Sequence, residues 1–325
     1  MPLVILLLLA TLALLAGLAL SGCGNSTDST GSGGGTTAKD TSIMVGPPDA
    51  KQTSITIKSD PALFAMLPDT VKSSGKMAVA SNAPYPPWEY YKEAGSSEFV
   101  GIDPDLGKAL GAKLGIELTF VQTKFDAIIP AIMAGKADIV LSAMYDNADR
   151  QKVLDFIDYA ADGSGILVLK GNPKGITGLD SLAGKVVACQ KGTTQAQFLE
   201  KLNKDFAAAG KPAVSILALP AESDALLAMK SGKAVADMTD GPGGAYVAKT
   251  YQGGGVFEVV ADPAFPNGYE PALMALGMKK NLPDQVKAFQ QALQQLVDEG
   301  VWPQVLDLYG AKQCLLDPIT TNAGK

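Results

Sequence analysis

The chain has 325 residues, 47% of them apolar and 18% charged, with 27 basic against 33 acidic side chains and a net charge of −6. At about 100–200 residues per domain the length suggests two folded units, the apolar share is enough for real cores, and the acidic balance argues against a nucleic-acid surface, which needs a basic face. With no histidine and only three cysteines, a Ser-His-Asp or Cys-His nucleophile, a Cys/His zinc site and a four-thiolate site are all excluded.

Leu3 to Leu20 is apolar or small throughout and uncharged, and it ends in Leu20-Ser21-Gly22-Cys23. One reading is an uncleaved anchor of near-spanning length. The other rests on the small residues before the cysteine, which resemble the lipobox of bacterial lipoprotein signal peptides. That resemblance implies a signal peptide over 1–22 and a diacylglycerol group on Cys23, whose two acyl chains hold the protein on a membrane surface. Behind it, Ser, Thr and Gly dominate to about Ser42, a composition that makes a tether with a reach of about 25 Å. The stretch 23–74 is expected to be mainly leash, with one weak helical segment around Asp60 to Met66, and the folded part to begin near Gly75. Cys189 and Cys314 are then left either to pair in an oxidising compartment or to stay as two thiols.

From Met77 the pattern alternates short apolar runs with helical periods. Met77 to Ala80 reads as a strand. Asp103 reads as a cap with Pro104 at the first helical position, and Leu106, Leu110 and Leu114 share a face closed by Gly115. Glu117 to Val121 is a strand, Phe125 to Met133 a helix ended by Gly135, and Ile139 to Leu141 a strand again. Ile166 to Leu169 and Val186 to Cys189 are strands, followed by Gly192-Thr193-Thr194 and a helix to about Ala208. Val214 to Leu217, a helix over Ala221 to Lys230, a segment at Ala234 to Thr239 and a helix after Asp240-Gly241-Pro242 continue the alternation. Val286, Phe289, Leu293, Leu296 and Val297 make a long amphipathic helix closed by Gly300.

Strands separated by such helices imply an α/β fold of two parallel-type sheets with helices on both faces. The Gly and Pro breaks at 162–165 and 262–266 are expected to be crossings between two lobes, the first made of 75–163 and 264–325, the second of 164–263. Two crossings make a hinge.

One count stands out. Of the 27 basic residues 26 are lysine, and the remaining one is Arg150. A planar guanidinium offers a carboxylate two parallel hydrogen bonds, which an ammonium does not. Composition alone leaves a binding role and a structural ion pair equally open.

Several stretches in order resemble the amino-acid-binding class of bacterial extracytoplasmic solute-binding proteins, which feed ATP-driven importers. They are Tyr85-Pro86-Pro87-Trp88-Glu89-Tyr90, Gly101-Ile102-Asp103-Pro104-Asp105-Leu106, Phe125 to Pro130, Gly135 to Ile139, Asp149-Arg150-Gln151, Gly184-Lys185-Val186 and Lys191-Gly192-Thr193-Thr194-Gln195. The resemblance spans about Gly75 to Gly310. It implies two lobes that close on a free L-amino acid, with no cofactor and no chemistry, in a likeness that makes the protein a monomeric partner of an ABC-importer permease.

Carried over residue by residue, the resemblance implies that Arg150 grips the ligand's α-carboxylate, at the end of a motif running from Ser142, Ala143 and Tyr145. Thr193, Thr194 and Gln195 open a helix whose N-terminus suits an anion, with Gln190 ahead of them. Asp240 is placed to pair the α-ammonium, although a capping role is equally natural on local grounds, and Asp237 should point to the opposite face. Tyr85, Trp88 and Phe125 are expected as aromatic walls. Asn82 stands where the family often has aspartate and Tyr145 where it often has a small hydroxyl residue. With a carboxamide at 82, the expected ligand is a neutral polar amino acid, glutamine or asparagine first. Two rival readings are an enzyme on the same fold, a dehydratase of the cyclohexadienyl or arogenate kind with Glu89 as its acid, and a ligand-sensing lipoprotein without transport.

Overall fold

The computed structural model of the protein describes residues 37–50 and 52–325. The Leu3–Leu20 run, Cys23 and the first part of the expected tether lie outside the described residues. The next part is a hairpin: β1 (Asp40–Val45) and β2 (Thr53–Lys58) pair antiparallel, Asp40 opposite Lys58 and Val45 opposite Thr53. Thr-Ser-Ile-Thr-Ile-Lys alternates with period two, so Val45 and Ile57 turn inward and are buried. Helix α1 (Pro61–Ala65), capped by the Asp60 carboxylate accepting from the Ala62 N–H at 2.9 Å, and α2 (Asp69–Ser74) follow. Leu63, Phe64, Leu67 and Val71 from this stretch enter the same core as Ile57. The expected start of the fold near Gly75 is therefore corrected to about residue 40. The physical reason is the apolar payload of 43–71, which a leash would leave in water.

Strand β3 (Lys76–Ser81) leads to a short hairpin of β4 (Tyr90–Tyr91) and β5 (Phe99–Val100), then to α3 (Ile102–Leu114). Leu106, Leu110 and Leu114 of α3 are buried, and Gly115 ends the helix at φ +71. The cap is Gly101 rather than Asp103. Gly101 sits at φ +129, and a Cβ there would meet the Trp88 carbonyl oxygen at 2.4 Å, so only glycine fits. Asp103 is buried instead, its carboxylate accepting from the Ala143 N–H at 2.7 Å. Then come β6 (Glu117–Gln122), α4 (Ile128–Met133) after a tight turn at Phe125–Ala127, and β7 (Ile139–Val140). β3 runs parallel to both β6 and β7.

β8 (Leu154–Leu169) is one continuous strand through Asp162-Gly163-Ser164-Gly165, not a break. Lobe 2 follows as β9 (Val186–Gln190), α5 (Thr194–Ala208), β10 (Ser215–Leu219), α6 (Glu222–Lys230), β11 (Ala236–Asp240), α7 (Gly241–Thr250) and β12 (Phe257–Val259). The chain returns through β13 (Tyr269–Lys279) to α8 (Pro283–Asp298) and α9 (Val301–Leu308). The strand order β10-β9-β11-β8-β13-β7-β3-β6 is unbroken. Parallel pairs occupy both ends, while β8 and β13 run antiparallel to each other in the middle. These two strands are the crossings, the second a few residues later than the Pro-rich stretch at 262–266.

Each side has its own core. Phe289, Leu293, Leu296 and Trp302 of α8 and α9 pack with Leu106 and Leu110 of α3, and Val187, Leu199, Phe206 and Met238 pack among themselves. At the hinge, Gly163 and Gly268 meet backbone to backbone. A Cβ on Gly268, at φ +78, would lie 2.7 Å from the Gly163 carbonyl carbon.

Candidate functional site

The lobes meet around a small cavity. From lobe 1, the loop after β3 brings Tyr85 and Glu89, the turn before α4 brings Phe125, and the segment after β7 brings Ser142, Ala143, Tyr145 and Arg150. From lobe 2, the end of β9 supplies Gln190 and the opening of α5 supplies Thr193, Thr194 and Gln195. Ten of the thirteen residues singled out from the sequence thus share one lining.

Arg150 is 8% exposed. Its backbone N–H donates to Asn147 Oδ1 at 2.9 Å, and its guanidinium donates to the carbonyls of Tyr145 and, across the cleft at 3.0 Å, Gly192. The guanidinium carbon stands 5.7 Å from the Phe125 ring centroid. Burial pulls its pKa down to about 10, with Asp146 acting the other way. Among the described residues no carboxylate forms an ion pair with it. The ion-pair reading of the lone arginine is left without a partner.

Opposite it, Thr193 caps α5. Its hydroxyl donates to the Gln190 carbonyl at 2.7 Å and accepts from the Ala196 N–H at 3.3 Å. The first N–H groups of a helix have no intrahelical partner and carry the positive end of its dipole. Gln195 Nε2 reaches back to Ser164 Oγ of β8 at 3.3 Å, tying the turn to the hinge.

Asn82, Trp88 and Asp240 lie one layer behind the lining. The Asn82 amide donates to the Thr123 carbonyl at 2.9 Å, and its Oδ1 accepts from Gln190 Nε2 at 2.6 Å. Trp88 is fully buried edge-on against Tyr159, its indole N–H donating to Asp240 Oδ1 at 2.9 Å. Asp240 also accepts from the Gly243 N–H at 2.8 Å, as the cap of α7, and from the Tyr85 hydroxyl. Its acceptors are filled by the other lobe and by its own helix. Asp237 faces the opposite way, as the strand alternation requires. It is fully buried beside Glu222, and apart from that carboxyl neither of its oxygens has a hydrogen-bond partner.

Among the lining residues Glu89 alone is not one of the thirteen. It is buried, its Oε1 accepts from the Ser142 hydroxyl at 2.6 Å, and its carboxyl also meets that of Asp103. Burial, and then the neighbouring Asp103, push its carboxyl well above the usual range. Asp103 is itself raised to about 7 by burial. A carboxylate directly after Trp88, in a loop otherwise built of aromatics and prolines, was the available signal. Tyr145 is turned toward the hinge, its hydroxyl donating to Asp162.

Other pairs also join the lobes: Lys191 and Asp126 at 2.9 Å, and Tyr85 and Thr239 hydroxyls at 3.0 Å. Cys189 and Cys314 are free thiols buried in separate cores, so they do not pair. Among the described residues no helix is long and apolar enough to cross a membrane, and no group of three or more His, Cys, Asp or Glu is placed to hold a metal.

The arginine-binding protein ArgT of Corynebacterium glutamicum is 28% identical over 265 residues, 81% of this chain and 83% of its own. The crystal structure of the ancestral amino acid-binding protein AncCDT-1, a precursor of cyclohexadienyl dehydratase, superposes with a TM-score of 0.65 at 30% identity, covering 74% of this chain and 98% of that one. The amino acid ABC transporter substrate-binding protein AbpA of Streptococcus pneumoniae, bound to L-arginine, gives 0.64 at 25% identity over 75% of this chain and 99% of its own. Residues 77–312 match the sequence profile of the bacterial extracellular solute-binding proteins, family 3, and the chain belongs to that family.

Proposed function

We propose that this protein is a receptor that binds one free L-amino acid between its lobes and hands it, as a monomer, to the permease of an ABC importer. Arg150 carries the reading. A buried guanidinium without a carboxylate is costly, and a ligand α-carboxylate removes that cost with two parallel hydrogen bonds while the first turn of α5 approaches from the other lobe. The amino-acid class is supported by the relatives: ArgT is an arginine-binding protein, and AbpA holds L-arginine.

The ligand's side chain follows from which polar groups the cavity leaves available. Asn82 spends its carboxamide on Thr123 and Gln190, so the argument for a neutral amide loses its contact. Glu89 is the acid in the lining, and a cationic group suits its charge. Arginine is the first candidate. Asp240 reaches the α-ammonium only once Tyr85 or Trp88 releases it.

Calorimetric titration with arginine, lysine, histidine, glutamine and asparagine tests the reading. Binding of one of them, lost when its carboxylate is converted to an amide, supports it; no binding by any overturns it. Lipid anchoring through Cys23 belongs to the same proposal and rests on the Leu20-Ser21-Gly22-Cys23 run. Labelled fatty acid entering wild type but not Cys23→Ala is the expected result, and equal labelling would refute it.

Glu89 also favours a second reading, acid catalysis of an elimination. Turnover of prephenate or arogenate that disappears in Glu89→Gln would establish it, and absence of turnover leaves the receptor.

A further inference from the structure

A second pocket of about 190 Å³ lies between the lobes. Tyr85 lines both this pocket and the Arg150 cavity. Pro84 and Pro86 wall it from lobe 1. Leu226 of α6 and Val247 of α7 wall it from lobe 2, with Tyr251 at its rim. Glu222 is the acid in this lining. It is 5% exposed, starts α6, and stands beside Asp237 and the Thr239 hydroxyl. Among the described residues no lysine or arginine forms an ion pair with Glu222 or Asp237.

This arrangement is costly as it stands. One proton shared between two buried carboxyls covers at most two of their four oxygens, and both oxygens of Asp237 lack any other donor. A cation at Glu222 would neutralise the pair where water screens little. The volume is below the usual range of drug-sized pockets and suits a small ligand. Prolines, a leucine and a valine around the rest call for a saturated chain rather than a polar one.

We propose that this pocket is a second ligand site, taking a small organic ammonium with its head at Glu222 and a short aliphatic chain between Pro84, Pro86, Leu226 and Val247. Both lobes form the walls, so an occupant holds the lobes together and favours the same closed state as a ligand beside Arg150. The site does not depend on which amino acid, if any, the first cavity takes.

The test uses n-butylammonium as probe and n-butanol as its uncharged counterpart, followed by ligand-observed saturation-transfer NMR on the purified chain. Wild type should give saturable transfer to n-butylammonium and at least tenfold weaker binding of n-butanol. Glu222→Gln, which keeps the shape and removes the acid, should weaken the amine at least tenfold, and Leu226→Phe should exclude it. No saturable binding to wild type, equal binding by Glu222→Gln, or undiminished binding by a folded Leu226→Phe would overturn the proposal, the last by placing the amine outside this pocket. If Leu226→Phe does not fold, Glu222→Gln decides alone.

Discussion

Gln190, the last residue of β9 in lobe 2, donates a 2.6 Å hydrogen bond to Oδ1 of Asn82, just past β3 in lobe 1. Both side chains are buried. Gln190 lines the cavity, but Asn82 behind it is taken up in a clasp between the lobes, which changes what substitution at 82 should do.

Asn82→Asp keeps an acceptor for Gln190 and should leave the order of preference among amino acids as it is in wild type. A net hydrogen bond is worth about 0.5–1.5 kcal/mol, so Gln190→Ala should weaken every ligand together by about two- to tenfold. Calorimetry on a cationic and an amide ligand separates the two effects. A switch of preference toward lysine in Asn82→Asp would put residue 82 back against the ligand.

The pH dependence of affinity should report on Glu89. Burial and Asp103 raise its carboxyl well above 4.5, so the free protein holds the proton above the ordinary glutamate range. A cationic side chain binds the carboxylate and expels that proton. Affinity for arginine should therefore rise with pH above about 4.5, by up to tenfold per unit, and level off once pH exceeds the raised pKa. Glu89→Gln should flatten the profile and weaken arginine. A flat wild-type profile would mean that Glu89 does not meet the ligand's charge.

The N-terminal hairpin should belong to the folding unit. Ile57 is 1% exposed in the core that includes Leu106 and Phe289, and deleting such a side chain to alanine costs about 2–5 kcal/mol. Ile57→Ala should lower the unfolding free energy by that amount, and the denaturation midpoint with it, in one cooperative transition with unchanged ligand affinity. An unshifted midpoint would return 40–74 to the leash.

The legible parts of this chain were those written in local periodicity. Leu106, Leu110 and Leu114 declare α3, and Val187 to Cys189 followed by Thr193 declares a strand running into a capped helix. Arg150 was legible because its residue type is used once. β1 and β2 were hidden by a preceding Ser/Thr/Gly stretch whose composition their own Thr and Ser continue. β8 was cut in the reading because Gly163-Ser164-Gly165 resembles a loop, yet antiparallel partners on both sides hold it as strand. Asn82, Trp88 and Asp240 were read as lining because sequence gives the loop a residue stands on. Which neighbour it meets depends on how β9 and β11 of one lobe meet the β3–β4 loop of the other.

The central claim is that Arg150 holds the ligand's carboxylate, and its most direct test is calorimetric titration of wild type and Arg150→Lys with the best-binding L-amino acid. Removing one partner of a buried charge pair costs about 3–5 kcal/mol, which corresponds to roughly two to four decades in Kd. Lysine keeps the charge but not the planar pair of donors, so a loss of at least a hundredfold is expected, with the thermal midpoint of the unliganded protein held within a few degrees. An Arg150→Lys protein that binds within threefold of wild type would contradict the account.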